Sequence, residues 1–534
     1  MPRAEATFQV VVDLVLEGLL IALLVFAPLA FGAVHAWSQA LVQAALVVAA
    51  TLWLVRLIWT RPPSRRAQVP SADPGTFTLA GYRFVRTGLG LPVILLLAVV
   101  MAQMIPVPSS VARVVSPGAG QVFGRALPGY AEGRTVDFSM FEPWLTGRDT
   151  GQIAEWASLP SSQVQPPPAS SGRRPLSIHP HRTALGWMTL AAALLAFLVA
   201  LHTMRSRHQI ERLSWIVILV GLGLAVMSVV QRIAGMGPLY GFYPVPEGAS
   251  PVGPFLSGRA FAAYMVMALP LTLGMLAWWL ARLRAPVWSA VPAGEGRLAG
   301  LLSQGEPIAR IGLSGFTSLA MLGALMTPVS RGAILSLATS ALLYGGACMI
   351  AGGYGRRGMA LARAAALTAG AVTLLLLGAW QPDRSVHEAE PEPAWTLASM
   401  AGGWKATLDV SAAYPFLGAG LGTYGDLRLG APSLLPDPDG LSRLLLETGP
   451  AGLILALWGC AGLVRRHVLA GLVAHGEPRG LPGEAALRHG MAVGLLAIVI
   501  LSWWDDGLRT PAVGLLAAVL AALLVADNVV QADT

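Results

Sequence analysis

Long, unbroken apolar runs recur from one end of this chain to the other, and they decide what it can fold into. The stretches from about Val11 to Ala33, Trp37 to Trp59 and Ala184 to Met204 each exceed the roughly 18 residues that mark a membrane-crossing helix. A backbone in hydrocarbon has no water to bond, so each segment must satisfy its own N–H and C=O groups, which leaves helices or closed barrels. Barrel strands alternate apolar and polar residues; these runs do not. Only 12% of the 534 residues are charged, against about 25% in soluble domains. The chain therefore reads as an all-α polytopic membrane protein.

Periodicity and breaks place twelve spans. After the first two, the third covers about Leu89 to Ile105, the fourth about Ala184 to Met204 and the fifth about Leu213 to Val230. The sixth runs from near Arg259 to near Ala281 through Pro270, the seventh ends at Pro328, the eighth near Gly352 and the ninth near Trp380. The tenth covers about Leu441 to Val464, the eleventh ends at Trp504 and the twelfth runs to about Asp527. The expectation is a single integral membrane domain, 1–534, with two large insertions. Segment 106–183, rich in Pro, Ser and Gly, reads as a loop or small cap; 381–440 is a large loop between the ninth and tenth spans.

The net charge of +8 is carried almost wholly by arginine, Lys405 being the one lysine. Arginine clusters follow each even-numbered span but the last, as in Arg61, Arg65 and Arg66, in RSRHQIER, and in Arg465 and Arg466. Under the positive-inside rule the N-terminus lies in the cytoplasm, and an even number of spans returns the C-terminus there. Segments 106–183, 232–258, 381–440 and the turn at Arg331 then face outward. In such a protein a basic balance reports orientation and calls for no nucleic-acid partner. Cys348 and Cys460 fall near the inner ends of spans, which excludes a disulfide across the outer loops, and no zinc-ligand spacing occurs. No internal repeat argues for an inverted-repeat transporter.

Few residues at membrane depth carry chemistry. Arg331 sits in a very short outer turn, where arginine is unusual; it either snorkels to the interface or binds an anion. Arg259 opens the sixth span at the same outer depth and is either a helix-end anchor or a second cation. A guanidinium binds phosphate oxygens bidentately and stays charged, so the two could clamp a diphosphate. Glu447 lies about two turns into the tenth span, where a carboxylate needs a partner or water. Asp439, before that helix, reads as an N-cap first and a base second. His387 and Asp437 have less support, the LGAGLG glycines permit tight turns, and Asp506 with Arg509 reads as a pair flanking an outer turn.

Several segments, taken together, resemble the O-antigen ligase and O-antigen polymerase superfamily. They are FGAVHAW after the first span, MIPVPSSVARVVSP after the third, PLSIHPHRTA before the fourth and GPFLSGRAFAAYMVMALP at the sixth. SRGAILSL at the eighth, AAYPFLGAGLGTY in the large loop, LLLETGPAGLIL at the tenth and DDGLRTPA after the eleventh follow in order. The resemblance implies a GT-C-like, metal-independent glycosyltransferase of a bacterial inner membrane, working without a cofactor. Its donor would be a glycan on undecaprenyl diphosphate at the periplasmic face. The acceptor would be lipid A core, a growing glycan or a protein hydroxyl. Arg331 corresponds to the family's Ser-Arg-Gly arginine, which with Arg259 would bind the donor diphosphate.

The chain departs from that pattern on the acceptor side. Where the family carries a histidine a few residues before its Glu-Thr-Gly helix, this chain has PDPDGLSR, with Pro438 and Asp439 in that register. ASMAGG precedes Trp404 in place of the usual arginine, and Ser257-Gly258-Arg259 stands for Asn-Arg-Asn. A positioned base contributes roughly 10²–10⁴ in rate; Asp439, or Glu447 with its proton affinity raised by burial, is the expected substitute in an inverting displacement. The competing expectation is a non-catalytic relative that binds lipid-linked glycan or scaffolds polysaccharide export.

Overall fold

The computed structural model describes residues 2–59, 76–79, 82–85, 87–126, 173–234, 240, 243, 251–290, 305–326, 331–350, 397–430, 439–465 and 484–533. In chain order the helices are α1 (Pro2–Leu29), α2 (Ala36–Trp59), α3 (Gly90–Gln103), α4 (Ser109–Val115), α5 (Pro117–Ala126), α6 (Pro180–Thr203), α7 (Arg207–Ile233) and α8 (Gly258–Ala290). Then come α9 (Gly305–Leu325), α10 (Arg331–Ile350), α11 (Leu397–Ser411), α12 (Tyr424–Gly430), α13 (Gly440–Leu463), α14 (Glu484–Leu501) and α15 (Pro511–Asp533). Two small antiparallel ladders accompany them: β1 (Thr76–Leu79) with β2 (Tyr82–Val85), and β3 (Pro106–Pro108) with β4 (Arg173–Pro175).

Among the described residues eight helices are long and apolar enough to cross a membrane: α1, α2, α6, α7, α8, α9, α13 and α15. Shorter apolar helices stand at Gly90–Gln103, Gly332–Ala347 and Ala485–Leu501, where the third, eighth and eleventh spans were expected. The expected ninth span lies outside the described residues, as do His387, Asp437, Pro438 and the side chains of Arg331 and Cys348. Large apolar side chains such as Val10, Leu14, Ile58 and Leu319 are exposed, a surface that a bilayer would cover. Buried hydroxyls bond back into their own helices, as Ser214 does to the Ile210 carbonyl at 2.8 Å and Thr272 to that of Ala268 at 2.8 Å. These hydroxyls need no partner from a second helix in an apolar setting.

The chain forms two compact units, one of Met1–Leu91, Thr189–Glu392 and Trp458–Thr534, the other of Pro92–Met188 and Pro393–Leu457. The first is built around α8, whose membrane span is 83% buried, against 39% for α1 and 28% for α2. Its main partner, α14, offers a row of glycines. A Cβ on Gly494 would stand 2.8 Å from the Met267 carbonyl, one on Gly490 would collide with that of Pro270, and one on Gly274 would stand 2.6 Å from that of Ala486. The two backbones touch because no side chain separates them, which is how helices associate where lipid competes equally for apolar surface.

One end of this unit is a belt of ion pairs. Arg56 meets Asp13 at 2.6 Å, Arg212 meets Glu17 at 3.2 Å, Arg310 meets Glu211 at 2.8 Å, and Arg488 meets Asp527 at 2.9 Å. The start of α1, the end of α2, the start of α7 and the start of α9 therefore lie together, as helices that alternate in direction require. Ser206 and Gln209 cap α7 reciprocally, at 3.3 and 3.2 Å.

The second unit holds the described parts of both insertions. Pro106 pairs with Pro175 across β3 and β4, so the ends of the 106–183 segment are tied together, with α4 and α5 following β3. Tyr414 packs on Ala119 and Ala419 beside α5, and a Cβ on Gly118 would stand 2.5 Å from its ring.

Gly490→Ala is expected to lower the unfolding midpoint in detergent by an amount equivalent to about 1–3 kcal/mol, the cost of overpacking. Gly18→Ala, on an exposed face of α1 with nothing within 4 Å, is expected to leave it unchanged or slightly raised. Equal midpoints for the two variants would refute the close α8–α14 contact.

Candidate functional site

At the end of the first unit opposite the belt in helix direction, the start of α8, the turn after α1 and the turn before α15 enclose a hollow of about 270 Å³. Phe31 and Val34 come from the first turn; Phe255, Ser257 and Arg259 come from the approach to α8; Asp506, Arg509 and Pro511 come from the last turn. Three of the segments noted in the sequence thus meet at one place.

The local backbone explains why those segments look as they do. Phe31, Gly32 and Ala33 all lie in the left-handed region, at φ 57°, 71° and 56°. This is a costly conformation for the two residues with a Cβ. A Cβ on Gly32 would stand 2.9 Å from the Phe255 ring and 3.0 Å from the Thr510 methyl, so only glycine lets the turn seat there. The strained turn sets Phe31 in the wall of the hollow, against the Tyr243 ring at 4.7 Å.

A fourth segment is tied to the same end. Trp504 Nε1 donates to the Gly332 carbonyl at 3.2 Å and to Ser336 Oγ at 2.8 Å, and its ring would lie 2.7 Å from a Cβ on Gly332. Gly332 follows Arg331 and Trp504 precedes Asp505, so α10 starts beside the turn that carries Asp505, Asp506 and Arg509.

Asp505 lies behind the lining, 5% exposed, and accepts from Gly507 N at 3.0 Å. Burial pushes its carboxyl up to about 7, with Asp506 acting in the same direction, while Arg259 and the Gly507 and Asp506 amides pull the other way. The sequence context of Arg509 suggests a pair with Asp506 flanking an outer turn. Its place in the same lining as Arg259 was not legible, because 250 residues separate them in sequence.

The two expected acceptor-side carboxylates lie in the second unit. Asp439 caps α13, its Oδ1 accepting from Ser442 N at 2.6 Å, which is the first of the two roles its sequence context suggested. Glu447 is 1% exposed. It meets Arg443 Nε at 3.1 Å and accepts from Tyr424 N, the start of α12, at 3.2 Å. Arg443, a residue the sequence reading passed over, sits one turn before it and stacks over the Tyr424 ring at 5.5 Å.

Around Glu447 the glycine-rich loop is stitched to a break in α13. Gly449 has φ 68° and ψ −178°, conformations open to glycine alone, and its amide lies against the Gly418 backbone. Ala419 N donates to the Leu446 carbonyl at 2.8 Å and Gly420 N to that of Glu447 at 3.0 Å. The Gln103 amide completes the joint: it donates to the carbonyls of Leu417 and of Glu447, the latter at 2.7 Å, and accepts from Leu421 N at 3.1 Å. Ser177 and Thr183, bonded to each other at 2.7 Å, fill the space beside Gly420. The LGAGLG glycines therefore make a backbone joint and no nucleotide cradle. Among the described residues no three His, Cys, Asp or Glu side chains converge as metal ligands would.

This arrangement defines a polytopic membrane protein with a cationic, aromatic-walled hollow at one end of its bundle. Compared with known proteins, the chain matches no family model and no curated protein.

Two outcomes follow. Glu447→Ala removes the carboxylate that meets Arg443 Nε at 3.1 Å. For a fully buried pair the loss is about 3–5 kcal/mol, and less is expected here because Arg443 keeps 22% exposure; the detergent unfolding midpoint should fall and partly recover in Glu447→Ala/Arg443→Met. Separately, Asp505 holds its proton to about 7 in the fold and releases it near 3.8 when unfolded, so stability falls as pH rises through that window and stays lower above it. Asp505→Asn should unfold at a higher temperature than wild type at about pH 8, the difference shrinking near pH 5; the reverse order would contradict the burial.

Proposed function

We propose that this protein transfers a glycan from an undecaprenyl-diphosphate carrier to an acceptor hydroxyl at the outer face of a bacterial inner membrane. It would be a twelve-span, GT-C-like enzyme of the O-antigen ligase and polymerase type. The observation that carries the reading is the convergence of FGAVHAW, GPFLSGRA and DDGLRTPA on the Arg259 hollow, with SRGAILSL tied beside it through Trp504. Under the positive-inside rule the ion-pair belt faces the cytoplasm with both termini, and the hollow faces the periplasm.

In this proposal Arg259 and Arg331 grip the donor diphosphate and neutralise it as the anomeric bond breaks. The acceptor oxygen attacks the anomeric carbon, the carrier diphosphate leaves with the bonding pair, and the acceptor proton passes to a carboxylate. Asp439 is the carboxylate for that step, because Glu447 is buried and engaged by Arg443 and the Tyr424 amide.

The test is transfer by purified protein in liposomes with a defined polyprenyl-diphosphate glycan and acceptor. Wild type should form product; Arg331→Ala should abolish it, and Asp439→Asn should slow it by roughly 10²–10⁴. Carrier binding without product would favour the scaffold reading, which the structural commitment of both carboxylates supports. Neither binding nor product would dismiss both.

A further inference from the structure

The family resemblance directs attention to Arg331, yet the second guanidinium in the wall of the Arg259 hollow belongs to Arg509. Three properties of that wall limit what it can hold. The first is charge. Two arginines, Arg259 and Arg509, line the hollow against one acidic lining residue, Asp506, and burial pushes the nearby Asp505 carboxyl up to about 7. The starts of α8 and α15 add the positive ends of two helix dipoles. The wall is a place for an anion.

The second property is polarity. Phe31, Val34, Phe255, Leu256 and Pro511 make much of the remaining lining apolar, with Ser257 and Thr510 among them. A free inorganic anion gains nothing from such a wall, and a neutral lipid gains nothing from the guanidinium groups; an ester of phosphate with a hydrocarbon alcohol uses both. The third is size. About 270 Å³ falls just under the smallest typical small-molecule pockets, which start at about 300 Å³. A headgroup fits, while an attached glycan and the lipid tail must leave it.

We infer that Arg509 acts beside Arg259 as a second guanidinium on the headgroup anion of the lipid that the proposed function brings to this hollow. The inference rests on the carrier-lipid reading and makes it more specific. The bonds from guanidinium groups to ligand oxygens are charge-assisted, so affinity should weaken with salt as well as with loss of either arginine.

The experiment is a titration of the unfolding midpoint of the full-length protein in detergent with undecaprenyl phosphate, undecaprenyl diphosphate, undecaprenol and inorganic diphosphate. The two phosphorylated lipids should raise the midpoint, undecaprenol should not, and inorganic diphosphate should act only at far higher concentration. Arg509→Ala and Arg259→Ala should each weaken the lipid phosphates at least tenfold, and Arg509→Lys by less. Val34→Trp, which fills the hollow without touching a charge, should block binding in a protein of unchanged midpoint. Undiminished affinity in Arg509→Ala, with loss in Arg259→Ala, would overturn the role of Arg509 and leave the carrier reading intact. Undiminished affinity in Arg509→Ala, Arg259→Ala and Val34→Trp together would place the lipid elsewhere. No response of wild type to any phosphorylated lipid would overturn the inference and the carrier reading at once.

Discussion

The contact between α8 and α14 is the constraint on which the first unit depends. In lipid, apolar side chains gain little by leaving hydrocarbon for one another, so packing must come from atoms that approach closely. Gly274, Gly490 and Gly494 allow that approach, and α8 runs on through Pro270 with its carbonyl against Gly490. A helix fixed so firmly along its length presents its first turn, and hence Arg259, in a defined place. Gly507 continues the same logic at the end of the contact, where a Cβ would stand 2.7 Å from that of Ala263.

That fixed helix also accounts for strain nearby. Phe255, fully buried just before α8, is the surface against which the left-handed Phe31–Ala33 turn closes. Residues with positive φ persist only where their surroundings over-determine them, and here the surroundings are the Phe255 ring and Thr510 of the turn before α15. Three chain segments far apart in sequence are each shaped by the other two. In the second unit the same economy of small residues appears in another form: Gly418, Gly420 and Gly449 let a loop backbone bond to a broken helix, with Gln103 holding both sides.

Much of this was legible in the sequence, for reasons that are physical. Apolar runs longer than the bilayer core can only be helices, so α1, α2, α6, α7, α8, α9, α13 and α15 stand where hydropathy put them. Asp439 before Gly440 was readable as a cap because capping is local, decided by residues three apart. What could not be read was whatever depends on long-range closure. That Arg509 shares a lining with Arg259 was not readable, since nothing in a ten-residue window shows Arg259 arriving. Glu447 was readable as a carboxylate in need of a partner or water; Arg443 lies one turn away, but the Tyr424 amide that also bonds to it comes from the far side of a loop. The β3–β4 pairing joins residues 65 or more apart across a Pro-rich segment and leaves no local mark.

The two carboxylates can be separated by what each would lose as a base. If Asp439 took a proton it would weaken its bond from Ser442 N, and N-cap losses are about 1 kcal/mol. A positioned base contributes roughly 10²–10⁴ in rate, or about 3–5 kcal/mol off the barrier. Capping and proton acceptance are therefore compatible at Asp439. Glu447 differs: neutralising it weakens its ion pair with the partly exposed Arg443 and its bond from the Tyr424 amide, so proton acceptance there costs more than at an N-cap. A base at Glu447 would weaken its bonds to Arg443 and to the Tyr424 amide at each turnover. Under the proposed transfer, Asp439 is the less costly proton acceptor of the two, and most of the barrier would be lowered by holding the leaving diphosphate. On that argument the cationic hollow is where catalytic power would be concentrated, and a weakened acceptor end is the expected companion of a strong donor grip.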